Sequence, residues 1–329
     1  MEINDFIILI VVLVNFLFYF NLNKISNYIN IFDKPDKKRK IHKYNVPSIG
    51  GIIFILNILI YLFFELTFQF INTQTETIFL IFTILTIFIL GFCDDKFDIN
   101  SNFKLISFIL IISVYFYLNN EQIVTELKFS SFSKIIHLGT YSFIFSVLSI
   151  VIFMNAFNMY DGINGQSGFY TLLLFSFLLI NGQNFLLGLI IIICSLFFLY
   201  FNLKSKIFLG DSGSLVISFL FSVMIIKFYN SSNNFVCEEI FILMMLPGID
   251  MTRLFIERMI RKKNPLKADK NHLHHLLLKS FNSTKVFLIS SFLILVPILL
   301  MILKINYLII ITLFLISYSL IILRLKNYI

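Results

Sequence analysis

The chain has 329 residues, 58% of them hydrophobic and only 13% charged, with a mean hydropathy of +0.91. A water-soluble domain has no means of hiding that much apolar surface, so composition alone excludes one. The net charge of +8 requires no nucleic-acid partner, because the basic residues gather in a few loops where anionic lipid headgroups and anionic substrates meet them.

Apolar runs recur along the whole length, near residues 6–21, 49–70, 78–92, 103–118, 141–155, 167–180, 185–202, 214–229, 236–256, 285–303 and 306–323. Most approach the roughly 20 residues that carry a helix across a bilayer. Backbone groups in lipid must be paired within their own segment, so these runs are expected as helices. The pattern predicts an all-α polytopic protein of about eleven transmembrane helices, one integral domain spanning 1–329, without internal repeat or soluble appendage. The first run follows Met-Glu-Ile-Asn-Asp, which lacks the basic start of a cleaved signal, and reads as a retained helix with its N-terminus outside. Of 26 Lys and Arg, 22 then fall in or beside cytoplasmic loops and only Lys128, Lys134, Lys227 and Lys304 fall outside, as the positive-inside rule demands. The C-terminus is cytoplasmic on this reading. Cys93, Cys194 and Cys237 have neither disulfide nor metal spacing. The longest outer loop, about 119–138, has room for a small strand pair around Val124–Phe129.

The chemistry-bearing residues sit in the inner loops. The first carries a basic run ending Lys40-Ile41-His42, a few residues before Gly50-Gly51 open a helix. Most of that run serves topology, but Lys40 and His42 are placed to meet a phosphate. The second holds Asp94, Asp95 and Asp98. Adjacent carboxylates can divide labour, one polarised by a cation and one acting as base, although a solvated helix end is the plainer alternative. In the third, Asn155, Asn158 and Asp161 recur every three residues before Gly162, Asn164 and Gly165. A helical turn is expected to align them, and amides read nucleobase edges well; a capped helix end is again the alternative. The fourth, Gly210-Asp211-Ser212-Gly213-Ser214, puts an acid at a helix start, where a metal bridging phosphates can sit, yet alone it is also an ordinary turn. The fifth follows Asp250, Arg253 and Arg258 and ends in Asp269-Lys270-Asn271-His272-Leu273-His274-His275. Its basic surroundings favour a phosphate or sugar contact over zinc, with structural hydrogen bonding as the plainer alternative.

These five ordered motifs resemble the polyprenyl-phosphate N-acetylhexosamine-1-phosphate transferases of glycosyltransferase family 4, relatives of the phospho-MurNAc-pentapeptide translocase. The family's Asp-Asp pair falls on Asp94 and Asp95, its Asn-x-x-Asn-x-x-Asp-Gly on Asn155, Asn158, Asp161 and Gly162, its Gly-Asp-x-Gly-Ser on Gly210, Asp211, Gly213 and Ser214, and its His-x-His-His on His272, His274 and His275. The broken histidine run is similar to the GlcNAc-type branch. Asn164 departs from the aspartate of most bacterial members. The resemblance implies transfer of a sugar-1-phosphate from a UDP-N-acetylhexosamine, GlcNAc by default, to undecaprenyl phosphate in a bacterial cytoplasmic membrane, with release of UMP. It implies magnesium, or manganese in its place, held by Asp211 and Asn158. Asp94, Asp95, Asp161 and Asp211 become the expected catalytic residues. Lys40, His42, Asn155, Asn164, Arg258, His272, His274 and His275 become the expected substrate contacts. It also admits a homodimer. An intramembrane prenyltransferase or a transporter are the competing readings. The first would need a second acid-rich helical motif, and the second would need ionisable groups at mid-membrane.

Overall fold

The computed structural model describes residues 3–35, 44–68, 74–131, 134–264 and 269–327. Lys40 and His42 lie outside the described residues. The chain is almost wholly helical: α1 (Ile3–Phe20), the short α2 (Leu22–Ile29), α3 (Gly50–Phe68), α4 (Gln74–Phe97), α5 (Ser101–Leu118), α6 (Ser142–Tyr160), α7 (Gln166–Ile180), α8 (Phe185–Asn202), α9 (Gly210–Ser231), α10 (Cys237–Ile260), the one-turn α11 (Leu273–Leu277), α12 (Ser283–Ile302) and α13 (Tyr307–Asn327).

Each of the eleven apolar runs corresponds to one of these helices. Nine, among the described residues, are long and apolar enough to cross a membrane. The other two fall short for different reasons. At 15 residues α7 spans only about 22 Å, and α10 carries Glu238, Glu239, Asp250, Arg253, Glu257 and Arg258 along its length. The outward faces bear exposed Phe16, Leu110, Leu196, Phe292 and Leu320, side chains that water would punish and lipid accepts.

The centre of the bundle is α9, whose apolar window is 94% buried. It packs against α3, α4, α6 and α7. Its hydroxyls are turned onto its own backbone, Ser218 Oγ to the Ser214 carbonyl at 2.6 Å and Ser222 Oγ to the Ser218 carbonyl at 2.7 Å, so a helix with several serines can still be a core helix. Antiparallel alternation brings the C-terminal ends of α4, α6, α8 and α10 to the same face as the N-terminal ends of α3, α5, α7, α9 and α12.

Two short ladders complete the fold. Phe32–Asp33 (β1) pairs with Val46–Pro47 (β2), clamping the roots of the first loop. Glu126–Leu127 (β3) pairs with Ile136–His137 (β4) in the 119–138 loop, where the sequence had room for it. Beyond β2, the Gly50 and Gly51 amides donate to the carbonyls of Phe208 and Leu209, each at 2.9 Å. Two otherwise orphaned donors of α3 are thereby satisfied, and the segment entering α9 is fixed in place.

Candidate active site

Helix α4 does not stop before its acids. It runs to Phe97, so Asp94 and Asp95 occupy its last turn, and Asp98 follows at φ +52° with its amide bonded to the Asp94 carbonyl. The neighbouring acids face different partners. The Asp95 carboxylate accepts from the Asp211 amide at 2.8 Å, the Ser212 amide at 3.1 Å and the Ser212 hydroxyl at 2.9 Å. It therefore caps α9 from another helix, a negative charge on the positive end of the helix dipole. Gly210 makes this approach feasible. Its φ is +76°, and a Cβ there would come within 2.6 Å of an Asp95 oxygen. Asp95→Ala is expected to cost about 1–2 kcal/mol of stability. A thermal melt in detergent that left Tm unchanged would contradict the capping role.

Asp94 turns to α5. One oxygen accepts from the Ile99 amide at 2.7 Å, the other from Lys104 Nζ at 2.6 Å. The same ammonium group pairs with Asp211 in the first turn of α9. Lys104 thus bridges two half-buried carboxylates that would otherwise repel each other. Asp211 receives a further hydrogen bond from Asn158 Nδ2 at 3.1 Å, and Asn158 Oδ1 accepts from Ser214 at 2.7 Å. Four helices, α4, α5, α6 and α9, meet in this one polar knot.

Above the knot opens a polar cavity of about 470 Å³, lined among others by Asp95, Asn158, Asp161, Gly162, Asn164 and Asp211, with Asp33, Ser48, Ser205 and Ser283 on its rim. Neither Asp94 nor Lys104 is in the lining; Asp211, which pairs with Lys104, connects them to it. Asp161 ends α6, and burial, with the Asp211 charge nearby, pushes its carboxyl up to about 7. The Asn164 amide donates to Ser205 Oγ at 2.7 Å, so it is held at the wall.

Asn155 is turned away. Its amide donates to the Val151 carbonyl of its own helix at 2.8 Å, and it does not line the cavity. Nor do Arg258 or the three histidines. Arg258 is buried and donates from Nε to Asp269 at 2.9 Å, fastening the histidine loop to α10. His272 bonds Asp250 at 2.9 Å. The His274 ring packs directly on Gly162, filling the space a side chain there would take, so the histidine motif backs the cavity wall.

Burial, with the neighbouring histidines, holds His274 well below the usual imidazole range and His275 down at about 4. Both are thereby uncharged at pH 7 and pack as rings against each other and, for His274, against Gly162. The unfolded chain takes up a proton at His275 near pH 6.5 and the folded chain does not, so stability is lost as pH falls from about 6.5 towards 4. His275→Gln is expected to flatten the fall of Tm over that interval. A parallel fall in both proteins would contradict this.

Sequence reasoning did not find Lys104. The available signal was its place in the first turn of a helix, where the dipole disfavours a cation unless an anion waits for it. Asp33, Ser48, Ser205 and Ser283 carried no such signal. Among the described residues no three His, Cys, Asp or Glu side chains form a ready metal cage.

Residues 77–229 match the profile of glycosyl transferase family 4. The chain is 28% identical to an undecaprenyl-phosphate alpha-N-acetylglucosaminyl 1-phosphate transferase of Thermotoga maritima, over 82% of this chain and 80% of the relative. It is 27% identical to a probable undecaprenyl-phosphate N-acetylglucosaminyl 1-phosphate transferase of Bacillus subtilis, over 78% and 72%. With the alpha-N-acetylglucosaminyl enzyme of Escherichia coli it shares 25% identity over 83% and 76%. The stretch similar to glycosyl transferase family 4 runs through α4, α5, α6 and α9, the four helices that tie Asp94, Lys104, Asn158 and Asp211 together.

Proposed function

We propose that this protein transfers a sugar-1-phosphate from a UDP-N-acetylhexosamine, GlcNAc by default, to undecaprenyl phosphate, releasing UMP. The observation that carries the reading is the bridging of Asp94 and Asp211 by Lys104 beside a polar cavity that Asp211 lines, at one end of a membrane-sized bundle. The names of the relatives, at matching length, supply the substrate class. The bundle crosses a bacterial cytoplasmic membrane eleven times with its N-terminus outside, α7 and α10 completing the nine apolar helices. The loop charges support that orientation, which puts the cavity on the cytosolic side where nucleotide sugars are met.

A lipid phosphate lying at the interface attacks the phosphorus bound to the sugar. A new P–O–P linkage forms, the bond to UMP breaks, and UMP carries away the electron pair. The acceptor monoester is already largely ionised near pH 7, so no strong base is needed. Asp94, fixed by Lys104 and the Ile99 amide, orients the incoming phosphate. Lys104 offers positive charge where negative charge accumulates. Asn164 and Asp161 bound the nucleotide side of the cavity, and the His272–His275 segment backs the sugar-diphosphate side.

The donor set around the cavity is carboxylate and amide oxygen, which suits magnesium, an ion that takes one or two carboxylates and completes its shell with substrate phosphates and water. Asp211, with Asn158 beside it, would hold it. When bound, it neutralises the diphosphate.

Purified protein supplied with UDP-GlcNAc, undecaprenyl phosphate and magnesium is expected to release UMP and yield a lipid diphosphate carrying the sugar, identified by mass. Absence of UMP release across a panel of UDP-N-acetylhexosamines would overturn the reading.

A further inference from the structure

The buried carboxylate of Asp250 lies outside the cavity and outside the catalytic knot, yet it is the most heavily hydrogen-bonded side chain of the histidine region. Its Oδ1 accepts from the Tyr318 hydroxyl at 2.7 Å, from Arg253 Nη2 at 2.8 Å and from the Leu273 amide at 3.1 Å. Its Oδ2 lies 2.9 Å from His272 Nδ1. Three chain segments meet on this one group: α10, which carries it, the histidine loop, and α13. Arg253 reinforces the junction, donating from Nε to Tyr318 Oη at 2.8 Å and from Nη2 to the Asn271 carbonyl at 2.7 Å. Glu257 ties Arg253 to α13 again, accepting from Lys326 at 2.6 Å.

A carboxylate paired with a guanidinium has only acceptor oxygens to offer. The ring nitrogen facing it must then carry the hydrogen. We propose that Asp250, itself held by Tyr318 and Arg253, is a positioning residue that fixes His272 with hydrogen on Nδ1 and the lone pair on Nε2, and seats the histidine segment against the cavity wall. The seating is visible in the stacking. The His272 and His274 rings are parallel within 8° at 5.6 Å between centroids, and His274 rests on Gly162 of the cavity lining. A carboxylate behind a histidine sets tautomer and ring orientation wherever the outer nitrogen has work to do. A carboxylate that served only to fold the loop would fix the same tautomer, so a fall in kcat at constant KM is what separates the two roles. The inference rests on the transferase reading only for what the Nε2 lone pair then serves, a hydroxyl donor on the sugar side of the cavity, phosphate oxygens having no hydrogen to give it. On this view α13 is an arm of the site as well as a membrane span, because Tyr318 reaches Asp250 across 68 positions of sequence.

The chain contains five histidines, few enough for side-chain nitrogen NMR of histidine-labelled protein in lipid bilayers, with His272 assigned by its loss in His272→Gln. The wild type is expected to show His272 protonated on Nδ1 at pH 7. Asp250→Asn is expected to move hydrogen to Nε2 and to lower kcat roughly 10- to 100-fold, with KM for undecaprenyl phosphate nearly constant. Tyr318→Phe keeps the ring volume and removes one donor. It is expected to lower kcat about threefold to tenfold and to broaden or shift the His272 resonances, and it decides the matter should Asp250→Asn not accumulate. A wild-type His272 protonated on Nε2 overturns the proposal. So does either variant that keeps both the wild-type tautomer and the wild-type kcat. The tautomer is read without substrate, so a protein with Nδ1–H on His272 and no transfer from any UDP-sugar would sink the proposed reaction and leave the positioning role standing.

Discussion

Lys104→Met is expected to lower turnover at least about 100-fold while the protein still inserts and can be purified, because losing one preorganised group aimed at developing negative charge costs about 10²- to 10³-fold in kcat. The ammonium group is the only positive charge, among the described residues, for which a contact with Asp94 or Asp211 is seen. Without it, two carboxylates from α4 and α9 face each other with Asn158 as the remaining donor to Asp211. The loss is chemical as well as structural. The cluster, already net negative with one ammonium against two carboxylates, would turn more negative still towards a diphosphate. Lys104→Arg tests the geometry separately. A guanidinium keeps the charge but is a planar fork and not a point, so it is expected to recover part of the rate and not all of it. UMP release measured at saturating substrate, alongside a thermal melt, separates loss of catalysis from loss of fold. A Lys104→Met enzyme with near wild-type turnover would remove the bridge from the mechanism.

The membrane architecture was legible because bilayer thickness imposes one length on every crossing. An apolar run and a helix then become nearly the same statement, and each run found its helix. Two helices blurred the rule. α7 is short, and α10 hides its charges by pairing them with α13 and the histidine loop, for instance Arg253 with Asp250 and Glu257. Such compensation leaves no trace in local composition.

The site was legible as a set of motifs and less so as a set of roles. Asp94 and Asp95 are one motif in sequence, but successive residues on a helix point about 100° apart, so one carboxylate meets α5 and the other caps α9. Asn155, Asn158 and Asp161 looked aligned by their spacing of three. Three residues fall short of a full turn by about 60°, and six by about 120°. Asn158 and Asp161 therefore reach the cavity and Asn155 does not. Lys104 looked like one more topological lysine, because the partner that makes it distinctive, Asp211, lies 107 residues away. The histidines were identified as a group, but their placement behind the wall depends on Asp250, Tyr318 and Gly162, none of which belongs to the histidine motif.

Asp211→Asn is the substitution expected to discriminate most sharply between charge and shape. The side chains are nearly identical in volume, and the backbone amide of residue 211 would still donate to Asp95, so the start of α9 should hold and Tm should barely move. The negative charge is removed, and one of the two acceptor oxygens becomes a donor. If Asp211 supplies the anionic ligand for magnesium, turnover is expected to fall about 10²- to 10³-fold, and the magnesium concentration giving half-maximal activity is expected to rise. Chelation by EDTA should abolish wild-type activity and readdition of magnesium should restore it, whereas the variant should recover little at the same concentration. If the role of Asp211 were only to anchor Lys104, the ammonium would still be held by Asp94 at 2.6 Å, the rate would fall modestly, and the magnesium dependence would stay where it was. The two outcomes differ in the metal titration even where the rates overlap. A near-wild-type rate with an unshifted magnesium curve would remove Asp211 from the metal and leave the cavity without its expected carboxylate ligand.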